Sequence, residues 1–294
     1  MSELDTIQGA PSPRTRETLA ADLRAAGLQA GMVVIVHSSL SSIGWVNGGS
    51  VAVVQALLEV ITPDGTLIMP AHSGEYSDPS YWQHPPVPET WWQIIRDTMP
   101  AFDPRVTPTR GMGRIAETFR TWPGALRSSN PQDSFAAQGR YAEFITAKHA
   151  LEGGLGERSP LARIYDLDGY VLLLGVPYGN NTSFHLGEYR APGGKLIAQG
   201  APILENGQRV WKTFTTLEVD SDCFDELGAA FERVHPVKIG LVGSATTRLF
   251  SQRAAVDFAV PRSPRMSTPP MLGSTAFKTR ARRMRSWPTI AVNG

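Results

Sequence analysis

His185 and Glu188 stand three positions apart in the stretch Tyr170–Tyr189, YVLLLGVPYGNNTSFHLGEY. On a helix that spacing puts both side chains on one face, where the carboxylate can hold the imidazole tautomer and tune its basicity. Such a pair suits proton abstraction, because histidine is the side chain whose ordinary titration lies nearest neutral pH. The plainer alternative is a packed histidine beside a surface glutamate. Two other chemistries have less to draw on. No GxSxG pentapeptide supplies a serine-hydrolase nucleophile. His37, His72, His84 and His185 are possible metal ligands, yet no HxH or HExxH pairing presents two of them from one element, so no metal is expected. A binding module for a cationic ligand, without catalysis, stays open.

The elements around the pair read as α/β. The apolar run Val171–Val176 predicts a central strand covered on both faces, and Thr182 or Ser183 is placed to cap the helix carrying His185. Upstream, Thr15–Leu28 has amphipathic helical spacing. Met32–Val36 is a β-branched strand ending in His37-Ser38-Ser39 and a glycine-rich loop. Ser50–Val60, with Ser50 as candidate cap, leads through Pro63-Asp64-Gly65 into strand Thr66–Met69, which makes a parallel βαβ unit. Ligands bind at the carboxyl ends of such strands.

A long loop then holds Glu75, Asp78, Glu89 and several tryptophans, a composition suited to binding. Prolines and glycines precede a helix at Ile115–Arg120, whose first amides can receive an anion or carbonyl oxygen. Arg127–Gly139 reads as a turn into an edge strand, and Tyr141–Lys148 and Leu161–Leu167 as short helices. Alternation on both sides of Asn206-Gly207 signals a hairpin. Asp222–Val234 is helical, and Gly240–Ala245 with Leu249–Phe258 reads as loop and helix.

The whole is expected to be one domain over residues 1–260, a mixed central sheet flanked by helices. Residues 262–294 carry seven Arg or Lys and no acid, leaving 21 basic against 27 acidic residues before them. The segment 261–294 is therefore expected to be a disordered basic tail, read as an aberrant reading-frame extension. The acidic body favours cationic partners over nucleic acid. One cysteine, and neither a leader nor a long apolar run, suggest a cytoplasmic protein.

Five segments in order resemble the aminoglycoside 3-N-acetyltransferase family: VHSSLSSIGWVNGG (36–49), GTLIMPAHS (65–73), AFDPRVTPTRGMGRIAETFR (101–120), SFAAQG (134–139) and LLLGVPYGNNTSFHLGEYR (172–190). The resemblance implies acetyl-CoA-dependent transfer to an amine, commonly the 3-amino group of an aminoglycoside. It implies His185 as general base, Glu188 as its support, and His37 close to the thioester. Ser38, Ser39 and Leu40 with Arg110, Gly111, Met112 and Gly113 would line the CoA channel. Glu75, Asp78, Glu89, Asn181 and Thr182 are the candidate acceptor contacts. Asn130 stands where the family often has histidine.

Overall fold

Strand β1 (Val33–Ser38) pairs in parallel with β2 (Thr66–Pro70) on one side and with β5 (Tyr170–Leu174) on the other, so three carboxyl ends share one edge of the sheet. A computed structural model of the protein describes residues 3–9 and 12–260. The tail expected over 261–294 lies outside the described residues.

In chain order the helices are α1 (Glu3–Gln8), α2 (Arg16–Ala25), α3 (Leu40–Ile43), α4 (Gly49–Ile61), α5 (Trp92–Thr98), α6 (Gly113–Arg120), α7 (Ala142–Thr146), α8 (Pro160–Asp166), α9 (Ser183–Arg190), α10 (Phe224–Glu232) and α11 (Gln252–Ala259). The remaining strands are β3 (Leu126–Arg127), β4 (Phe135–Gly139), β6 (Leu196–Glu205), β7 (Gln208–Leu217), β8 (Lys238–Val242) and β9 (Ala245–Ser251). The main sheet runs β3-β4-β2-β1-β5-β9-β8, and β6-β7 forms a separate two-stranded ribbon. Because β4 and β9 run antiparallel to their neighbours, the sheet is mixed, as expected, within a single α/β domain.

Alternation along each strand sends its side chains to two cores. Val34, Val36, Leu67, Met69, Leu172 and Leu174 pack with residues of α2, α4 and α6. Val33, Ile35, Ile68, Val171 and Leu173 pack on the other face with residues of α7 to α11. His37 continues the Val33-Ile35 series and so points toward the α9 face, while Ser38 belongs with the α6 face.

Several sequence expectations are corrected. The strand expected through Val176 stops at Leu174, where Gly175 takes φ 71°, and the middle of the sheet is β1, with β5 beside it. The segment expected as a loop over Gly240–Ala245 is hairpin β8-β9, turned by Gly243 at φ 60° and Ser244, and helix begins only at Gln252. The expected edge strand β4 is interior, because the two-residue β3 pairs outside it. Gly48, not Ser50, occupies the cap of α4, and the Ser50 hydroxyl bonds Thr118 at 2.8 Å instead. Helix α5 lies inside the tryptophan-rich segment expected as loop.

Candidate active site

The loop from β5 to α9 delivers the first functional pair. Thr182 occupies the cap position of α9 without a side-chain cap bond, and the Asn181 Oδ1 receives the Ser183 amide at 3.2 Å, so the cap expected from Thr182 or Ser183 is supplied one residue earlier. His185 falls in the first turn. Its Nδ1 lies 2.5 Å from Glu188 Oε2, and Glu188 is 2% exposed. The second glutamate oxygen accepts the Asp220 amide at 3.2 Å, and the Phe224 ring lies 4.8 Å from the imidazole. A carboxylate on Nδ1 makes that nitrogen the donor and leaves the Nε2 lone pair outward. Among the described residues Nε2 has no hydrogen-bond partner, and the His185 side chain keeps 14% exposure.

Two more histidines come from the neighbouring strand ends. His37 closes β1, and His72 follows β2 by two residues. Burial pushes the His37 imidazole down to about 3, with His185 adding repulsion. Burial likewise pushes His72 down to about 3, helped by His37, His185, His149 and Arg127. Both rings are therefore neutral near physiological pH, and the Nε2 of each is buried without a partner among the described residues. His37 and His72 thus stand at the adjoining carboxyl ends of β1 and β2, and His185 follows the neighbouring β5, close enough for its charge to act on both rings.

The segments expected to line a CoA channel also meet. Arg110 donates its amide to the His72 carbonyl at 2.8 Å, which ties the segment ahead of α6 to the end of β2. Gly111 and Gly113 take φ 72° and 81°, values that favour glycine, and a methyl group added at Gly113 would stand 3.8 Å from the Ser38 carbonyl. No side chain caps α6, so its first amides are available to an acceptor. Ser39 stands at the cap position of α3 without a side-chain cap bond, its hydroxyl instead accepting from the Ser42 hydroxyl at 2.9 Å, and Leu40 packs against the core.

The acceptor contacts expected from the acidic loop separate. Asp78 is committed to Arg96, at 2.9 and 2.8 Å, and to the amide and hydroxyl of Ser80. Glu89 is exposed on a single turn, Glu89–Trp91. Glu75 remains near the cleft, its Oε2 buried without a partner and its charge felt by Arg127. Asn181 is fully buried with its Nδ2 unpaired, and Thr182 is 9% exposed.

Sequence reasoning passed over Asp133 and Arg127. Asp133 precedes β4, and the antiparallel register Pro70↔Phe135 brings the start of β4 to the same edge as the end of β2. Its charge acts on His185, and burial raises its carboxyl to about 6. Arg127 spans the floor of this region, bonding the Ala71 and Thr107 carbonyls and the hydroxyls of Ser73 and Ser134. Burial lowers it to about 10. Neither residue carries a local signal, because each reaches the site through a long-range strand pairing.

The sequence profile described as aminoglycoside 3-N-acetyltransferase matches residues 35–262. The SPbeta prophage-derived aminoglycoside N(3')-acetyltransferase-like protein YokD of Bacillus subtilis (strain 168) is 54% identical, over 86% of this chain and 93% of the relative. Its crystal structure superposes with a TM-score of 0.87 at 52% identity, over 88% of this chain and 96% of that one. A solved structure of AAC-IIIb with CoASH has a TM-score of 0.76 at 32% identity, over 85% and 96% of the chains. One of AAC-VIa bound to sisomicin gives 0.77 at 29% identity, over 86% and 98%.

Proposed function

Because the chain belongs to the aminoglycoside 3-N-acetyltransferase family, we propose that it transfers the acetyl group of acetyl-CoA to the 3-amino group of an aminoglycoside. The observation that carries this reading is the His185 imidazole, held through Nδ1 at 2.5 Å by a buried glutamate, with Nε2 unbonded at the carboxyl edge of the sheet. Support for the two substrates comes from the AAC-IIIb complex with CoASH and the AAC-VIa complex with sisomicin.

The acceptor nitrogen forms a bond to the thioester carbonyl carbon, His185 Nε2 takes the proton that nitrogen loses, and the carbon–sulfur bond breaks to release CoA thiolate, which is protonated. Glu188 keeps the Nε2 lone pair turned outward and stabilises the imidazolium once formed. Neutral His37 and His72 line the cleft without adding positive charge beside a cationic acceptor. The Asn181 amide and the Thr182 hydroxyl stand ahead of α9 as donors for the oxyanion. Ser38 to Leu40, with the amides of Arg110 to Gly113, are assigned to the CoA chain, since glycine backbone and uncapped helix amides admit a polar ligand closely.

Glu75 remains an assigned acceptor contact, whereas Asp78 is neutralised by Arg96 and acts in the scaffold. The domain is assigned to residues up to 260 and the reaction to the cytoplasm, where the thioester donor is available. The test is thiol release from acetyl-CoA across a panel of aminoglycosides and simple amines. Release with 2-deoxystreptamine compounds, and a KM that rises with salt as screening weakens polycation binding, is the expected result. Silence across the panel with tight amine binding would replace the enzyme by a binding module.

A further inference from the structure

Asp133 is placed with care and given no counter-charge. Asn130 Oδ1 accepts the amides of Gln132 and Asp133 at 3.0 and 2.8 Å, fixing the turn that presents the aspartate. Behind the carboxyl lies the backbone of Gly154. A methyl group there would stand 2.4 Å from Asp133 Oδ2 and 2.8 Å from Asn130 Nδ2, so only glycine leaves the carboxyl its place. That wall is itself pinned, because His149 donates from Nε2 to the Gly154 carbonyl at 2.6 Å and accepts at Nδ1 from Ser128 at 2.9 Å. Among the described residues no hydrogen bond or ion pair engages the Asp133 carboxyl.

The groups that face it electrostatically are His185 and Tyr189, both on α9. The Tyr189 hydroxyl is already bonded to Thr216 at 2.9 Å and to the Leu217 amide at 3.3 Å. A partly buried carboxylate with no cation is costly to keep, and such groups mark places where a ligand completes the pair. Of the other acids at this end, Glu188 is engaged by His185 and the Asp220 amide and Asp78 by Arg96, while Glu75 also keeps a carboxylate oxygen without a partner among the described residues.

We propose that Asp133 is the subsite for a second ammonium group of the acceptor, beside the amine that is acetylated. The acceptor class is then a rigid polyamine with two amines close together, and a monoamine leaves the carboxylate unpaired. This rests on the acetyl-transfer reading and deepens it. Within that reading Asp133 orients the acceptor, while His185 alone receives the proton. Burial raises the free carboxyl to about 6, and a bound ammonium draws it back down, so acceptor affinity should fall as pH drops through that value.

The test compares the full-length protein with Asp133→Asn and Asp133→Glu by calorimetric binding and steady-state kinetics. The probes are a 2-deoxystreptamine aminoglycoside and its analogue with the neighbouring amine replaced by hydroxyl. Asp133→Asn is expected to weaken the parent compound roughly 10- to 100-fold in Kd and KM, the scale for losing one partner of a desolvated charge pair. The deaminated analogue and acetyl-CoA should change less than about threefold, within the range for removing an exposed pair.

Between pH 7.5 and 5 the wild type should lose more affinity than Asp133→Asn, the difference isolating Asp133 from His185. Free Asp133→Asn should also melt a few degrees above wild type at pH 7.5 and keep only about half of that advantage at pH 5, a readout that needs no turnover. Equal affinities and equal pH profiles in a folded Asp133→Asn protein would overturn the subsite and leave acetyl transfer standing. Asp133-dependent binding without thiol release would sink acetyl transfer and leave the subsite. A wild type that binds no polyamine ends both. Should Asp133→Asn fail to fold, Asp133→Glu and the wild-type pH profile carry the same decision.

Discussion

The His72 carbonyl and the Arg110 amide are joined by a 2.8 Å hydrogen bond. Through it the end of β2 fixes the turn that starts α6, and the side of the cleft assigned to the acyl donor is built onto the strand edge that carries the histidines. The two halves of the site therefore share backbone, and substitutions of individual side chains can be read as chemistry rather than collapse.

Replacing His185 with Gln should lower kcat by roughly 10² to 10⁴, the contribution of a positioned general base, with acetyl-CoA affinity unchanged by calorimetry. Turnover near the wild-type rate would move the base elsewhere, with His37 the next residue to test.

Glu188→Gln should cost less, roughly tenfold in kcat, because the amide still fills the buried site beside Nδ1 but no longer stabilises the imidazolium. A loss equal to that of His185→Gln would mean that the dyad acts as one unit.

Acid should destabilise the fold early. His37, His72 and His149 drop from 6.5 to about 3, 3 and 4, so the unfolded chain binds protons that the folded chain refuses. Stability is full above about 6.5 and is lost as pH falls toward the folded values, by roughly 1.4 kcal/mol per pH unit for each histidine. Asp133, raised from 3.8 to about 6, works the other way and offsets part of the loss between those values. Urea unfolding at pH 7, 6 and 5 measures the slope. His72→Gln should flatten it, and an unchanged slope would contradict the burial of that ring.

Arg127→Met should destabilise by roughly 2–4 kcal/mol, since it strands the Thr107 carbonyl, leaves the Ala71 carbonyl only the Ser134 hydroxyl, and removes the contact 4.9 Å above the Phe102 ring. Arg127→Lys should recover little, because an ammonium cannot spread its donors over so many acceptors. The midpoint of urea unfolding decides the matter.

A chain ending at Arg262 should keep the wild-type Tm and kcat, because α11 ends at Ala259 and the family match ends at residue 262. Loss of folded protein on truncation would assign the remaining residues a structural role.

The periodic elements were legible wherever local pattern decides structure: α2, β1, α4, β2 and the β6-β7 ribbon fall within a few residues of their expected bounds. His185 and Glu188 were legible for the same reason, as a spacing within one helix. What stayed hidden depends on pairing between distant segments. The β8-β9 hairpin was missed because its turn is only Gly243-Ser244 and its outer strand is largely exposed, so β8 shows no buried periodicity. Asp133 and Arg127 were missed because only β4 and β3, laid antiparallel beside β2, bring them to the cleft. Conversely, Asp78 looked available because nothing in a sequence shows that Arg96, eighteen residues on, has claimed it.

Helix α2 packs near β8, where the Asp22 carboxylate accepts the Gly243 amide at 2.9 Å and Lys238 lies against Gly27. The first long helix of the chain is thus closed by its last hairpin, and β5 gains its second neighbour only when β9 arrives. During synthesis the ribosome must release some 250 residues before that seam can form. Until then β5 presents an open, apolar edge directly before the segment that carries His185. The open edge lies beside the segment that forms the cleft, so β5 is paired on both sides only once β9 has been made.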